Sequence, residues 1–335
     1  MKPNLKNIAK KAGVSIATVS RILRKKNLKN KPNEIKVLKI ARELGYPYIQ
    51  LHQIKSKKKK IALILKMEFG EFYPSLFNGI HHASLNSDLQ LSLISIKDGK
   101  QPISEIIDII NDYHASIIFL PFLTQSDYSR IQNETKGKKL ISLAPIPDPV
   151  IQTISFDSYR GGYLIAKHFF DSGFKDVGLI TGPGIRLEAN YRKNGFMDFI
   201  NFNHSINLKW IYSGDYSIKS GHKAFQNYLQ ECKKNIAVFS CNDSMAFGFI
   251  KEAIENGFSI PKDIQIAGYD NLPMCKDIIP SLSSIKTNYK LLGKQVINSI
   301  VSLDPDDTDQ VGYFNLIPVE LIKRNSTLVK EFSFA

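Results

Sequence analysis

The stretch from Leu5 to Leu23, LKNIAKKAGVSIATVSRIL, constrains the chain most, because its apolar spacing and its breakers specify two short helices joined by a tight turn. Leu5, Ile8, Ala9 and Ala12 recur at i, i+3, i+4 and i+7, the spacing of one helix face. Asn4 can cap the start, Gly13 ends the helix, Val14 can close over the turn, and Ser15 offers a hydroxyl to cap the second helix. That second helix turns Val19, Ile22 and Leu23 inward. Its outer face carries Ile16, Ala17, Thr18, Ser20 and Arg21: small or hydroxylated side chains, one guanidinium and no acid, which suits a helix set between the phosphate walls of a DNA groove.

Charge supports that reading. Residues 1–60 hold 18 Lys or Arg against 2 Asp or Glu, whereas the other 275 residues hold 27 against 29. A basic excess confined to one small segment is the footprint of a polyanion partner. The three cysteines have neither metal spacing nor a CxxC pair, so neither a disulfide framework nor a zinc site is expected. With no apolar leader and no run of 18 apolar residues, a cytoplasmic protein that makes no use of a membrane is expected.

Ile8-Ala9, Ala12-Gly13-Val14-Ser15 and Ala17-Thr18-Val19-Ser20-Arg21 together resemble the DNA-binding signature of the LacI/GalR family of bacterial transcription repressors. A third helix is expected from Pro32, with Val37, Ile40, Ala41 and Leu44 inward and Gly45 at its end. The family usually has Thr-Arg near the start of that helix; here Asn33-Glu34 replaces it, an acid where a phosphate-binding Arg is expected. Arg24 stands where the family's loop usually has Asn. The head is thus read as residues 1–46 and the linker as 47–60. The family's hinge pattern is missing from YIQLHQIKSKKKK, although Leu51 or Ile54 could serve as the minor-groove wedge the resemblance implies.

From residue 61 onward, short apolar runs alternate with helical stretches. Strands are expected at 61–65, 89–95, 116–120, 140–143, 177–181, 210–213, 236–240 and 264–268, separated by helices. The fold class is therefore an α helix-turn-helix head followed by an α/β body of two lobes with parallel doubly wound sheets. Landmarks such as Asp157 to Gly161, Asn242 to Gly248, Gly268-Tyr269-Asp270 and Pro280 to Ser284 extend the resemblance almost to the end. Such bodies are similar to periplasmic sugar-binding proteins, which implies three crossings between lobes. These are placed near 156, 286 and 314, giving one lobe of about 61–155 and 287–313 and another of about 157–285 and 315–330.

In this fold, ligands sit at the carboxyl ends of strands. The positions that resemble the family's effector pocket are Arg192, a fork of donors; Asn242, a donor and acceptor left free if Asp243 caps the next helix; Asp270, an acceptor; and Tyr216 and Phe156, apolar plates. Phe72, Tyr73 and Ser75 after the first strand would face the pocket, and Tyr289 could close it. Structural alternatives stand beside these: a turn cap for Asp270, a structural salt bridge for Arg192, and core packing for the aromatics. Ala144 replaces the Asp that sugar repressors often carry after the fourth strand.

No GxGxxG, Walker or GxSxG pattern follows a strand, so neither catalysis nor a cofactor is expected. The resemblance implies a regulator that binds a pseudo-palindromic operator as a homodimer, with a tetramer left open. Ser15, Thr18 and Ser20 would hold phosphate, and Ile16, Ala17 and Arg21 would read bases, under the control of a small ligand, a sugar in the first instance. A sugar-binding protein with only non-specific nucleic-acid association, and a regulator answering a purine-type effector, are the alternatives.

Overall fold

The computed structural model describes residues 4–24, 31–46, 58–97, 102–231, 236–303 and 312–327. The chain divides into two compact units at Lys58, a head and a body.

In the head, α1 (Leu5–Ala12), α2 (Ile16–Arg24) and α3 (Pro32–Glu43) close over one apolar cluster centred on Ile8, Val19, Val37 and Ala41. Asn4 caps α1, its side chain accepting from the Asn7 amide at 2.9 Å. Gly13 sits at φ 71°, a left-handed conformation that costs glycine little, and its amide returns to the Ala9 carbonyl at 3.0 Å. Ser15 then caps α2, its Oγ accepting from the Thr18 amide at 3.1 Å.

Two expectations for α3 change. Leu38 is buried, whereas Ile40 and Leu44 lie half-exposed against the cluster, because α3 meets its two neighbours along the Glu34, Val37, Leu38, Ala41 stripe. Glu34 is only 5% exposed, and its carboxylate accepts from the Lys31 amide at 3.3 Å. It therefore closes the start of its own helix and does not stand in for a phosphate ligand.

The body opens with β1 (Lys59–Leu65), whose first amide donates to the Asp88 carbonyl at 2.8 Å. Lys59 and Lys60, expected in the linker, are strand residues with exposed side chains, paired to Leu89 and Gln90. The remaining elements are α4 (Phe72–Ser84), β2 (Leu89–Ser95), α5 (Ile103–Asn111), β3 (Ala115–Phe119), α6 (Gln125–Glu134), β4 (Lys139–Ser142), β5 (Gln152–Phe156), α7 (Ser158–Asp171), β6 (Asp176–Thr181), α8 (Leu187–Phe202), β7 (Asn207–Ser213), α9 (Ile218–Glu231), β8 (Ile236–Ser240), α10 (Asp243–Glu255), β9 (Ile264–Asp270), β10 (Ser283–Lys286), α11 (Tyr289–Ser302), β11 (Phe314–Ile317) and β12 (Glu320–Ile322).

Two six-stranded sheets form, ordered β11-β5-β4-β3-β1-β2 and β12-β10-β9-β8-β6-β7. Among the described residues, only β12 runs antiparallel to its neighbour. Central strands such as β3 and β8 are buried at every residue, as parallel strands covered by helices on both faces must be. The chain leaves the first sheet after Phe156, returns after Lys286 and leaves again between Ile317 and Glu320. The last crossing thus lies beyond the expected position near 314, because β11 pairs in parallel with β5 from Phe314↔Thr153 to Ile317↔Phe156 before the chain departs.

Candidate functional site

Between the lobes lies a cavity with about 850 Å³ of empty space, its open mouth included. Its two walls differ in chemistry. The first lobe supplies Phe72, Tyr73, Leu76, Phe119, Phe156 and Leu292, so this side is largely aromatic and aliphatic, with Glu68 as a charged exception. Phe72, Tyr73 and Leu76 share one face of α4 at i, i+1 and i+4. Phe72 meets Tyr73 edge-on at 5.2 Å and Phe119 at 5.6 Å, which holds the wall rigid.

The second lobe supplies polar groups from the carboxyl ends of its strands. Arg192 reaches in from the second turn of α8. Its Nη1 donates to the Cys241 carbonyl, its Nη2 donates to Asp270 Oδ1 at 3.4 Å, and the guanidinium lies over the Tyr269 ring at 3.7 Å. The crossing of α7 and α8 fixes that height: a Cβ on Gly162 would fall 1.9 Å from the Arg192 carbonyl, and one on Gly195 would fall 1.9 Å from the Tyr159 carbonyl.

Asp270 ends β9 at φ 108°, outside the range that side-chain-bearing residues prefer. Thr287 pins that turn by donating to the Asp270 carbonyl at 2.9 Å. Burial pushes the Asp270 carboxyl up, Arg192 pulls it back, and the neighbouring Asp243 and Glu188 carboxylates push it further up. The same field, with Tyr216 and Asp270 beside it, holds the Arg192 guanidinium protonated against its burial.

The roles of Asn242 and Asp243 are reversed from the expectation. Asn242 caps α10, its Oδ1 accepting from the Met245 amide at 2.9 Å, and its Nδ2 donates to the Tyr216 carbonyl at 2.9 Å. It lines the cavity and also holds Tyr216, whose backbone sits at φ 73°. Asp243 is fully buried and ties Ser284 (2.6 Å), the Leu272 amide (2.8 Å) and Cys275 (3.1 Å) together, with its carboxyl pushed up to about 6 by burial. Asparagine wins the cap because its carbonyl oxygen can accept locally while its amide reaches the neighbouring loop.

Of the expected ligand residues, the fold brings Phe72, Tyr73, Phe156, Arg192, Tyr216, Asn242 and Asp270 to this cavity. Ser75 is not among the lining residues, because it lies a turn-fraction away from the Phe72–Leu76 face. Tyr289 is not among them either. Its ring stands behind the wall, edge-on to Phe72 at 6.1 Å and to Phe156 at 5.6 Å, so it buttresses the plates without closing the mouth. Sequence reasoning does not single out Arg186, Glu188 and Glu68, which also line the cavity. Arg186 and Glu188 begin α8 just past β6, where the strand-end rule points, and Glu68 follows β1 in the same way.

Glu68 and Arg186 bridge the lobes, with Arg186 Nη2 3.3 Å from Glu68 Oε1, while Tyr73 donates its hydroxyl to Glu68 Oε2 at 3.1 Å. A second bridge runs from the Met274 amide to Glu71 Oε2 at 2.9 Å.

In the head, Ser15, Ile16, Ala17 and Arg21 are exposed, with Ile16 47% open, and Thr18 and Ser20 are half-exposed. They form an uninterrupted outer face on α2, although the Ser15 and Thr18 hydroxyls already bond each other at 2.8 Å. The Arg24 side chain, the basic loop after it, and Leu51 and Ile54 lie outside the described residues. Among the described residues, no cluster of three metal-ligating side chains exists and no helix is long and apolar enough to cross a membrane.

Comparison with known proteins agrees with this two-part build. Residues 4–47 match the model of bacterial regulatory proteins of the lacI family, and residues 166–327 match a periplasmic binding protein-like domain. The NTD biosynthesis operon regulator NtdR of Bacillus subtilis (strain 168) is 26% identical over 329 residues, covering 97% of this chain and 100% of that protein. The HTH-type transcriptional repressor PurR of Pasteurella multocida (strain Pm70) is 27% identical over 328 residues, covering 96% and 98%. A Lac repressor dimer bound to operator and the anti-inducer ONPF has a similar fold, with a TM-score of 0.70 and 24% identity over 98% of this chain and 100% of that one. So has a complex of the transcriptional regulator CelR with cellobiose, with a TM-score of 0.71 and 19% identity over 97% and 99%. These relatives are regulators and not enzymes, and with its three-helix head joined to a two-lobed ligand-binding body the chain belongs to the lacI family of DNA-binding bacterial regulatory proteins.

Proposed function

We propose that the chain is a transcriptional repressor that binds a pseudo-palindromic operator as a homodimer and changes its DNA affinity when a sugar occupies the cavity between the lobes. The two-faced cavity carries the reading, because an aromatic plate facing a set of fixed polar groups matches a ring with apolar C–H faces and a polar rim. Solved structures of similar fold described with bound cellobiose and ribose support a sugar. Dimerisation is expected on geometry, since one three-helix head reads only a few base pairs, whereas two heads about a two-fold axis read half-sites on successive turns. The neighbour described as a dimer on its operator supports the same assembly. Ser15, Thr18 and Ser20 would then meet phosphates, Ile16, Ala17 and Arg21 base edges, and Leu51 or Ile54 the minor groove.

The test is selection of binding sites from random duplex DNA by the full chain, followed by footprinting of the selected site with a panel of sugars and purines. A palindromic site whose protection shifts with one sugar is the expected result. Recovery without any sequence preference would reduce the head to non-specific association, and a shift caused only by a purine would replace the sugar. Arg21→Ala should weaken the selected site by about 1–3 kcal/mol relative to scrambled DNA, with discrimination lost at one base pair. An unchanged ratio between the two DNAs would remove Arg21 from base reading.

A further inference from the structure

Among the described residues, five formally charged side chains line the cavity: Glu68, Arg186, Glu188, Arg192 and Asp270. Two of the three acids already accept a hydrogen bond from a guanidinium. Arg186 donates to Glu68 at 3.3 Å, and Arg192 donates to Asp270 at 3.4 Å with its other terminal nitrogen on the Cys241 carbonyl. Glu188 is the acid left over. It is 8% exposed, its Oε1 makes a long ion pair with Arg186 Nη1 at 4.0 Å, beyond hydrogen-bond reach, and its Oε2 is buried with no hydrogen-bond partner. The N-terminus of α8 offsets part of the charge but gives Oε2 no donor.

A carboxylate taken out of water without a donor is costly, so a molecule that enters the cavity must supply one. A hydroxyl would satisfy the hydrogen bond; a protonated amine satisfies both the bond and the charge. With three acids against two guanidinium groups, the lining carries a formal excess of one negative charge, which disfavours anions and favours a cation. Arg192 Nε is also buried without a partner, a donor left for a hydroxyl or ring oxygen of the same molecule.

We propose that Glu188 is an ammonium subsite and that the effector is an amino sugar, a hydroxylated ring bearing a protonated amine. This rests on the reading that the cavity is the effector site. In the bound state the ring lies against Phe72 and Phe156, the amine donates to Glu188 Oε2, and phosphorylated or carboxylated sugars are disfavoured by the formal excess of acid.

Calorimetric titration of the full chain at neutral pH with glucosamine, galactosamine and mannosamine, each beside its N-acetyl derivative and its parent neutral sugar, tests the assignment. One amino sugar should bind at least tenfold more tightly than both of its counterparts, and Glu188→Gln should erase that preference. A parent or N-acetyl sugar that binds as tightly as the amine overturns the ammonium subsite and leaves the cavity reading intact. Retention of the amine preference by Glu188→Gln also overturns it. Binding of none of the nine compounds overturns both. The comparison among wild-type titrations stands even if the variant folds poorly.

Discussion

Arg192 and Asp270 are 7% and 5% exposed at their side chains, and each is what makes the other tolerable. Removing one partner of a buried pair typically costs about 3–5 kcal/mol, because the remaining charge is stranded. Arg192→Leu should cost that much near neutral pH. Without the guanidinium, Asp270 keeps only the influences that push its carboxyl above the ordinary range, so the folded variant holds a proton that the unfolded chain gives up. The wild-type carboxyl is itself pushed up to about 8, so both proteins lose stability as pH rises toward that value and the variant goes on losing it above. Urea unfolding should find the deficit relative to wild type larger at pH 9.5 than at pH 7. His168 behaves in the opposite sense. It is 3% exposed, its Nε2 lies 3.0 Å from Thr327 Oγ1, and burial, aided by Lys323, pulls its pKa down to about 4. The folded pKa lies below the unfolded value near 6.5, so its contribution is complete above that pH and is lost between 6.5 and 4. The loss is about 3 kcal/mol. His168→Gln should remove that portion of the acid sensitivity in thermal melts collected across the window.

At the scale of elements, the pitch of α8 against α7 decides where Arg192 points. Gly162→Ala sets a methyl group against the Arg192 carbonyl, and the two helices must part. An overpacking cost of about 1–3 kcal/mol is expected, together with weaker effector binding as the guanidinium shifts. Unchanged calorimetric affinity in a destabilised Gly162→Ala would show that the crossing supports the fold without positioning the site. The elements themselves are largely legible in the sequence. The strands expected at 61–65 and 236–240 match β1 and β8 closely, because buried parallel strands leave unbroken apolar runs between helices. The one expected at 89–95 matches β2, an edge strand whose apolar residues largely alternate with polar ones. β5 and β11 are not legible, because QTISF and FNLI are short and interrupted by polar residues, and only their partners in the sheet make them strands.

For the whole molecule, the two interlobe bonds define a closed arrangement in which Glu68 meets Arg186 and Glu71 meets the Met274 amide. The Glu68 carboxylate is 37% exposed, so solvent screens the pair and its contribution is under about 1 kcal/mol. Cutting both bonds by Glu68→Ala with Glu71→Ala should still weaken effector binding about fivefold, since a ligand that needs the lobes together must then supply that stabilisation itself. Equal calorimetric affinities for the double variant and wild type would show that the bonds do not favour the liganded arrangement.

The sequence by itself determined the helix-turn-helix, the basic head and the alternation of strands with helices. These rest on periods of 3.6 residues or on unbroken apolar runs, on breakers such as Gly13, and on charge counts that are local to the chain. It also marked Arg192, Asn242 and Asp270, because they follow strand ends. Tertiary structure alone decided what those side chains do. Asn242 became a cap and a brace for Tyr216, Tyr289 fell behind the wall it was expected to close, and Glu34 turned inward to its own helix. It also decided that Glu188 Oε2 is left without a hydrogen-bond donor while Glu68 and Asp270 each accept from a guanidinium. Pairing depends on distances between residues such as Glu68 and Arg186, far apart in the chain, and no local pattern encodes which of three acids two guanidinium groups will reach.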